Sequence, residues 1–278
     1  MSYLTLILKK INLIIIKKII NFYCFFISFI IIMFSKGTFE KIEIKDSFLN
    51  LVSNIGNIYF GSFIGISYNS SFIDCSSLNN TVSIYSLSST FPYLGGIVGY
   101  SSGSSFSNCS SSYNQISSYS ASSSNTGGII GYSVTSFLVG CTSSFNNIST
   151  LTSSFTSPSY TGGVVSFSYS NSTISNCVST NNNISSSSSS SYSFSGGVAS
   201  AISTFTSISN CSSTNNSISS SSSVLSHSHS GGVVAYSLSF SSISNCDSTN
   251  NQISTPNTTN TVSAGVCALS ESNSTFSK

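Results

Sequence analysis

Apolar residues in this chain come in short clusters of four to six, separated by polar stretches dominated by Ser, Thr and Asn. Clusters of that length are strand-sized, whereas a helix needs ten or more periodic positions. One recurring cluster opens on glycine, as in Gly95-Gly96-Ile97-Val98-Gly99-Tyr100 and Gly231-Gly232-Val233-Val234-Ala235-Tyr236. Its fifth position is always small: Gly65, Gly99, Gly131, Ser166, Ser200, Ala235 and Ala268. A polar turn follows, then an aliphatic residue ahead of a cysteine, as in Ile174-Ser175-Asn176-Cys177 and Ile208-Ser209-Asn210-Cys211. A corner such as Ser213-Thr214-Asn215-Asn216 leads to one last apolar residue, Ile218. The pattern predicts three short strands per unit, with strong helix formers scarce throughout.

The clusters are phased. Glycine doublets stand at Gly95-Gly96, Gly127-Gly128, Gly162-Gly163, Gly196-Gly197 and Gly231-Gly232, at spacings of 32, 35, 34 and 35 residues. Degenerate copies lie at Gly61-Ser62 and Ala264-Gly265. Cys75, Cys109, Cys141, Cys177, Cys211 and Cys246 follow, each 14 or 15 residues after its first glycine. A fixed period in this range marks a solenoid, propeller or array. The expected fold is therefore all-β: a parallel β-helix, or β-solenoid, of six to seven coils of about 34 residues over residues 60–278. Matching strands of adjacent coils would stack at about 4.8 Å. Ile, Val and Phe would point inward. Glycine and other small residues would sit where the backbone bends or the core has no room. Corner asparagines would form hydrogen-bonded ladders and accept left-handed backbone. Serine-rich stretches such as residues 185–191 read as low-complexity outer loops.

Charge divides the chain. Ten of its fourteen Lys, Asp and Glu residues fall within the first 46, and between Ser47 and Ser277 only Asp74, Asp247 and Glu271 are charged. A net charge of +2 gives no basis for nucleic-acid binding. Lys9, Lys10, Lys17 and Lys18 precede a 16-residue apolar run over residues 19–34, broken by Asn21 and Ser28. That length lies between a signal-peptide core of about 7–15 residues and a membrane span of about 20. Residues 1–37 are thus expected to hold an N-terminal hydrophobic helix, either cleaved after Gly37 or kept as an anchor. The lysines hold its start in the cytosol, which puts the remainder outside the cell or at its surface. Residues 38–59, where charged Glu40, Glu43 and Asp46 flank Ile42 and Ile44, are expected to cap the rod.

The block Gly95-Gly96-Ile97-Val98-Gly99-Tyr100, followed by Phe106-Ser107-Asn108-Cys109, resembles the GLUG repeat of bacterial and protist surface proteins. Pairing a Gly-Gly-aliphatic block with an aromatic-x-Asn block is also similar to the repeats of polymorphic outer-membrane proteins. The resemblance covers roughly residues 60–278. It implies a surface or secreted β-helix, often adhesive, and carries no catalytic residues. Ser200 and Ala235 replace the last glycine of the opening in later copies.

Candidate chemistry is sparse. The six phased cysteines form a structural column, as buried free thiols or as disulfides between coils; lacking Cys-x-x-Cys spacing, they do not resemble a zinc site. Gly99-Tyr100-Ser101-Ser102-Gly103 matches a nucleophile-elbow string, but that motif needs a strand-to-helix turn and partner residues. His227 and His229 share one serine-rich stretch with no carboxylate nearby in sequence, and Asp74 and Asp247 lie five units apart. No cofactor or metal is expected, and the chain reads as non-enzymatic. Asn-x-Ser/Thr sequons at Asn69, Asn79, Asn147, Asn171, Asn183, Asn215, Asn257 and Asn273 are candidate glycosylation sites. Asn108 and Asn210 also head sequons but adjoin the cysteine column, which makes them poorer candidates. The expected role is adhesion or coat structure, with surface glycans or proteins as partners. A solenoid-scaffold carbohydrate-active enzyme or glycan-binding module is the alternative. The seventh unit stops short of its cysteine, so self-association through the C-terminal coil is also expected.

Overall fold

The computed structural model describes residues 33–277, apart from 36, 54–56, 87–90, 154–156, 190, 223–226, 257–259 and 272. Five parallel sheets wind around one axis. One coil shows the order: Pro92–Gly95 on face I, Val98–Ser102 on face II, Ser105–Ser107 on face III, Ser110–Ser112 on face IV and Gln115–Ser120 on face V. Each strand pairs in register with its counterpart in the next coil, as in Val98 with Ile130, Phe106 with Leu138 and Ile116 with Ile148. Six complete coils run from Ile58–Gly61 to Gln252–Ser254, with a partial coil on each side. The unit holds five strands rather than three, because the segment before the doublet, such as Pro92–Gly95, and the segment after the cysteine, such as Ser110–Ser112, are strands too.

A five-residue step builds faces III and IV. Three residues extend, one adopts positive φ, and the next turns its side chain inward. The positive-φ residues before the serine corner include Asn69, Gly103 and Asn171; before the cysteine corner, Asp74, Asn108 and Asn176; before the asparagine corner, Asn79, Tyr113 and Asn181. Among the described residues, eleven of the twenty-two non-glycine residues with positive φ are asparagine, the side chain that tolerates this region best apart from glycine. Where Tyr113, Phe145, Phe205 and Phe240 take the position, they stack as neighbours: Tyr113 on Phe145 at 4.9 Å and Phe205 on Phe240 at 5.4 Å.

The inward residue after each corner stacks on its copies. Ser104, Ser136 and Ser172 fill one corner, Cys109, Cys141 and Cys177 the next, and Asn114, Asn146 and Asn182 the third, all buried. In the asparagine ladder each amide reaches back one coil. Asn182 Oδ1 accepts from Asn146 N at 2.8 Å, and its Nδ2 donates to Ser143 O at 2.9 Å and to Ser179 Oγ at 3.0 Å. The same three bonds recur at Asn114 and Asn146. Every polar atom of the side chain has a partner, which is what a buried amide requires.

The glycine doublet answers that ladder. A Cβ on Gly163 would stand 1.9 Å from Gly197 O and 2.3 Å from Ser179 Oγ, the serine that Asn182 holds. The doublet glycines do not take positive φ; they are required for lack of space, and the sharp bends fall at the asparagine-rich corners instead. Apolar side chains complete two cores. Phe72, Phe106, Ile97, Val98, Ile174 and their copies fill the space among faces II, III and IV. Leu94, Ile116, Ile148 and Ile184 fill part of the space between faces I and V.

The remainder of that second core is hydroxyl. Ser118 bonds Thr126 at 2.7 Å, Thr150 bonds Thr161 at 2.8 Å, Ser186 bonds Ser195 at 2.8 Å and Ser220 bonds Ser230 at 2.9 Å. Residues 185–188 are therefore not an outer loop: Asn183–Ser188 is a strand, with Ser186 2% and Ser188 3% exposed. Residues 38–53 do not form a separate cap, since Thr38–Glu40, Glu43–Lys45 and Phe48–Ser53 continue faces III, IV and V. The expected N-terminal helix lies outside the described residues except at its end, where Met33–Ser35 is a strand paired with residues 66–68 rather than helix. Among the described residues no helix is long and apolar enough to cross a membrane.

Two substitutions test this architecture. Asn182→Ala leaves Asn146 N and Ser143 O without partners and is expected to cost about 2–4 kcal/mol, read from the denaturation midpoint. Ser186→Ala removes the hydroxyl that the buried Ser193 and Ser195 share and should cost about 1–3 kcal/mol. An unchanged midpoint would place Ser186 in a loop.

Candidate binding surface

Face I folds back against the outside of face II, and aromatic rings fill the crevice between them. Tyr59, Tyr93, Tyr160, Phe194 and His229 line it from face I; Tyr100, Tyr132, Phe167 and Tyr236 line it from face II. Along each face the rings stack: Tyr59 on Tyr93 at 5.3 Å, Tyr100 on Tyr132 at 5.7 Å, Tyr132 on Phe167 at 5.3 Å and Tyr160 on Phe194 at 5.1 Å. Across the crevice most meet edge to face, Tyr93 with Tyr132 at 5.2 Å and Tyr160 with Phe167 at 5.2 Å, the geometry that aromatic quadrupoles favour. The close approach explains the small fifth position of the glycine-led cluster. A Cβ on Gly99 would lie 2.4 Å from Phe60 N. In later coils Ser166 and Ser200 use the position to donate to Tyr160 O and Phe194 O, at 3.0 and 2.9 Å.

Burial dominates the electrostatics of this crevice. It raises the Tyr93 and Tyr100 phenols and pushes Tyr132 up to about 12. Tyr236 also reaches about 12, through burial and its Oη donating to Glu271 Oε2 at 2.9 Å. These phenols stay neutral in ordinary solution. His229 is 4% exposed, lies 5.4 Å from Phe194 and 6.5 Å from Tyr236, and has no partner at Nδ1. Burial, and then repulsion from His227, lowers its pKa to about 4, against a small opposing pull from Glu271.

A second aromatic feature is open to solvent. On face V, Val52, Tyr85, Tyr119 and Leu151 form a column in successive coils, with Tyr85 stacked on Tyr119 at 4.6 Å. Asn50, Ser83, Ser117 and Ser149 run beside it. Together they line a shallow groove of about 480 Å³ without a charged side chain. In the next coils Ser187 and Ser221 continue the column, so the apolar strip is confined to the N-terminal half.

The residues singled out in the sequence fall as follows. Cys75, Cys109, Cys141, Cys177 and Cys211 are buried, Cys246 is half-buried, and all are free thiols, as is Cys267. Cys109 Sγ lies 3.5 Å from Phe72 O and Cys141 Sγ 3.7 Å from Phe106 O, so each thiol reaches back to a carbonyl of the preceding coil. A hydrogen bond with Cys109 and burial raise the Cys75 thiol, and burial lifts Cys267 to about 12. No group of three or more potential metal ligands occurs among the described residues. Ser101 is fully buried and shares a hydrogen bond with Ser136 at 2.9 Å in a strand followed by another strand, which removes the elbow reading. His229 does gain a carboxylate neighbour, Glu271, which sequence distance conceals and the coil supplies. Asn69, Asn79, Asn147, Asn171, Asn183, Asn215 and Asn273 are exposed, while Asn257 lies outside the described residues. Asn108 and Asn210 are exposed too, contrary to expectation, because their positive φ turns the asparagine outward as it turns the cysteine in.

The aromatic crevice went unread in the sequence although a signal was present. Tyr59, Tyr93, Tyr160, Phe194 and His229 each stand two residues before the first position of the doublet.

The architecture is that of a parallel β-solenoid with one repeat per coil. Residues 92–114 match the family model of the GLUG motif, from the strand that enters the doublet to the ladder residue Asn114. The match and the solenoid fit a GLUG-type β-helix repeat protein. No curated protein and no solved structure matches the chain.

Acid tests the crevice. The imidazole has an ordinary pKa of 6.5 and a folded value of about 4, so folding opposes its protonation. The stability it contributes is intact above pH 6.5 and is lost as the pH falls toward 4. The loss at the acid end should be about 3 kcal/mol. Comparing the wild type with His229→Phe over this window measures it: the variant should lose less stability than the wild type, and parallel curves would rule out a buried neutral His229.

Proposed function

We propose that this protein is an exported, non-enzymatic surface repeat protein that serves in adhesion or as a coat component. The observation that carries the reading is the outer surface beyond Asp46, almost free of charge and repeated in register from coil to coil, with aromatic ladders along faces I, II and V. Such a surface has little to offer a charged partner and suits neutral, extended ones, such as surface glycans or uncharged protein segments. Repetition along a rigid rod lets several weak contacts act together, which raises avidity without any single strong site. The GLUG motif at residues 92–114 supports the same reading through the class of repeat it represents.

The test is location. Antibodies against the coils should label intact, unpermeabilised cells or the surrounding medium, and externally added protease should remove the surface label. Labelling only after permeabilisation would overturn the proposal. Beads coated with the purified protein should then adhere to glycan-bearing surfaces, and the adhesion should persist at high salt because no ion pairs are involved.

A further inference from the structure

The corners combine three properties in the same asparagines. They have positive φ, they are exposed, and seven of them head a sequon. At the serine corner these are Asn69, Asn171 and Asn273; at the cysteine corner, Asn108 and Asn210; at the asparagine corner, Asn79 and Asn215. The sequon follows from the corner itself: the asparagine turns outward, the next residue fills the ladder, and the third begins a strand with Ser or Thr. Within one corner no two of these sequons fall in adjacent coils. The nearest pairs are three coils apart, about 14 Å at the usual strand spacing. Asn147 and Asn183 differ. They are paired across adjacent coils on face V, and Asn183 Nδ2 donates to Asn147 Oδ1 at 3.1 Å. Two bulky glycans cannot both stand there.

We infer that the chain carries N-linked glycans along its three corners, at Asn108 and Asn210 as well as at the other five, and on no more than one of Asn147 and Asn183. The inference rests on the proposed export. The donor is an oligosaccharide carried on a lipid pyrophosphate. Asparagine Nδ2 attacks its anomeric carbon and forms the N–C bond. The bond from that carbon to the phosphate oxygen breaks, the lipid pyrophosphate leaves, and the amide proton passes to solvent, with no change of oxidation state. Attachment precedes folding; the corner geometry then lets the modified chain fold, since each glycan projects away from the ladders. The result is a rod decorated along its three corners.

The full chain is expressed in a eukaryotic secretory cell in two forms, one with its own N-terminus and one behind a foreign cleavable leader. Sites are mapped by mass spectrometry after chymotryptic digestion and enzymatic deglycosylation in heavy-oxygen water, since no Lys or Arg lies between Ser47 and Ser277. For the leader form the expected result is occupancy at the corners, with Asn108→Gln and Asn210→Gln each removing one deglycosylation-sensitive mobility step. No folded molecule should carry glycans on both Asn147 and Asn183. Folded lumenal protein with bare Asn108 and Asn210, or with both strand asparagines occupied, would overturn the inference. If only the leader form is decorated and the native form stays in the cytosol, the export proposal fails while the corner assignment stands.

Discussion

Every feature of this rod depends on parallel registration, which places each residue directly above its own counterpart in the coil below. Backbone hydrogen bonds impose the spacing, but the side chains decide whether it can be kept. A residue that stacks on itself must satisfy itself. Asparagine does so with three bonds per side chain, binding back to the preceding coil and to its own Ser179 or Ser143. Phenylalanine does so through van der Waals contact and burial, as in Phe72 on Phe106 at 4.6 Å, and a fully buried ring of this kind contributes about 1.5–3 kcal/mol. Charged side chains cannot, because stacked like charges repel at that distance, and the near absence of charge after residue 46 follows from this constraint.

Registration also ties the glycines to the ladder. Asn182 orients Ser179, whose hydroxyl stands where a Cβ on Gly163 would be. The doublet, the serine two residues after the cysteine and the second asparagine are thus parts of one device, although about 20 residues separate its ends. The left-handed corners set the inward direction of each ladder residue, and with it the outward direction of Asn108 and Asn210.

The columns that contrast with serine were legible in the sequence: the doublets, Cys75 to Cys246, and the aliphatics such as Ile174 and Ile208. The strands made of serine were not. Ser185 and Ser186 are the same residue on opposite faces of one strand, so hydrophobic alternation carries no signal there. The exchange that builds the second core is equally silent, since Phe60 and Leu94 in early coils give way to Thr126, Thr161 and Ser195, matched across the core by Ser118, Thr150 and Ser186. Doubled asparagines advertised a corner, but only the backbone shows that the first is left-handed and the second buried. The crevice between faces I and II escaped because it depends on face I folding back over face II, which no single repeat reveals.

The central claim is that serine tracts in this chain are core strands. Backbone amide exchange over residues 183–188, followed peptide by peptide, tests it most directly. A buried, doubly paired strand should exchange as slowly as the segment around Ile174, at rates set by global or subglobal opening. Exchange over residues 183–188 at the rate of an unstructured chain, while the Ile174 segment stays protected, would contradict it.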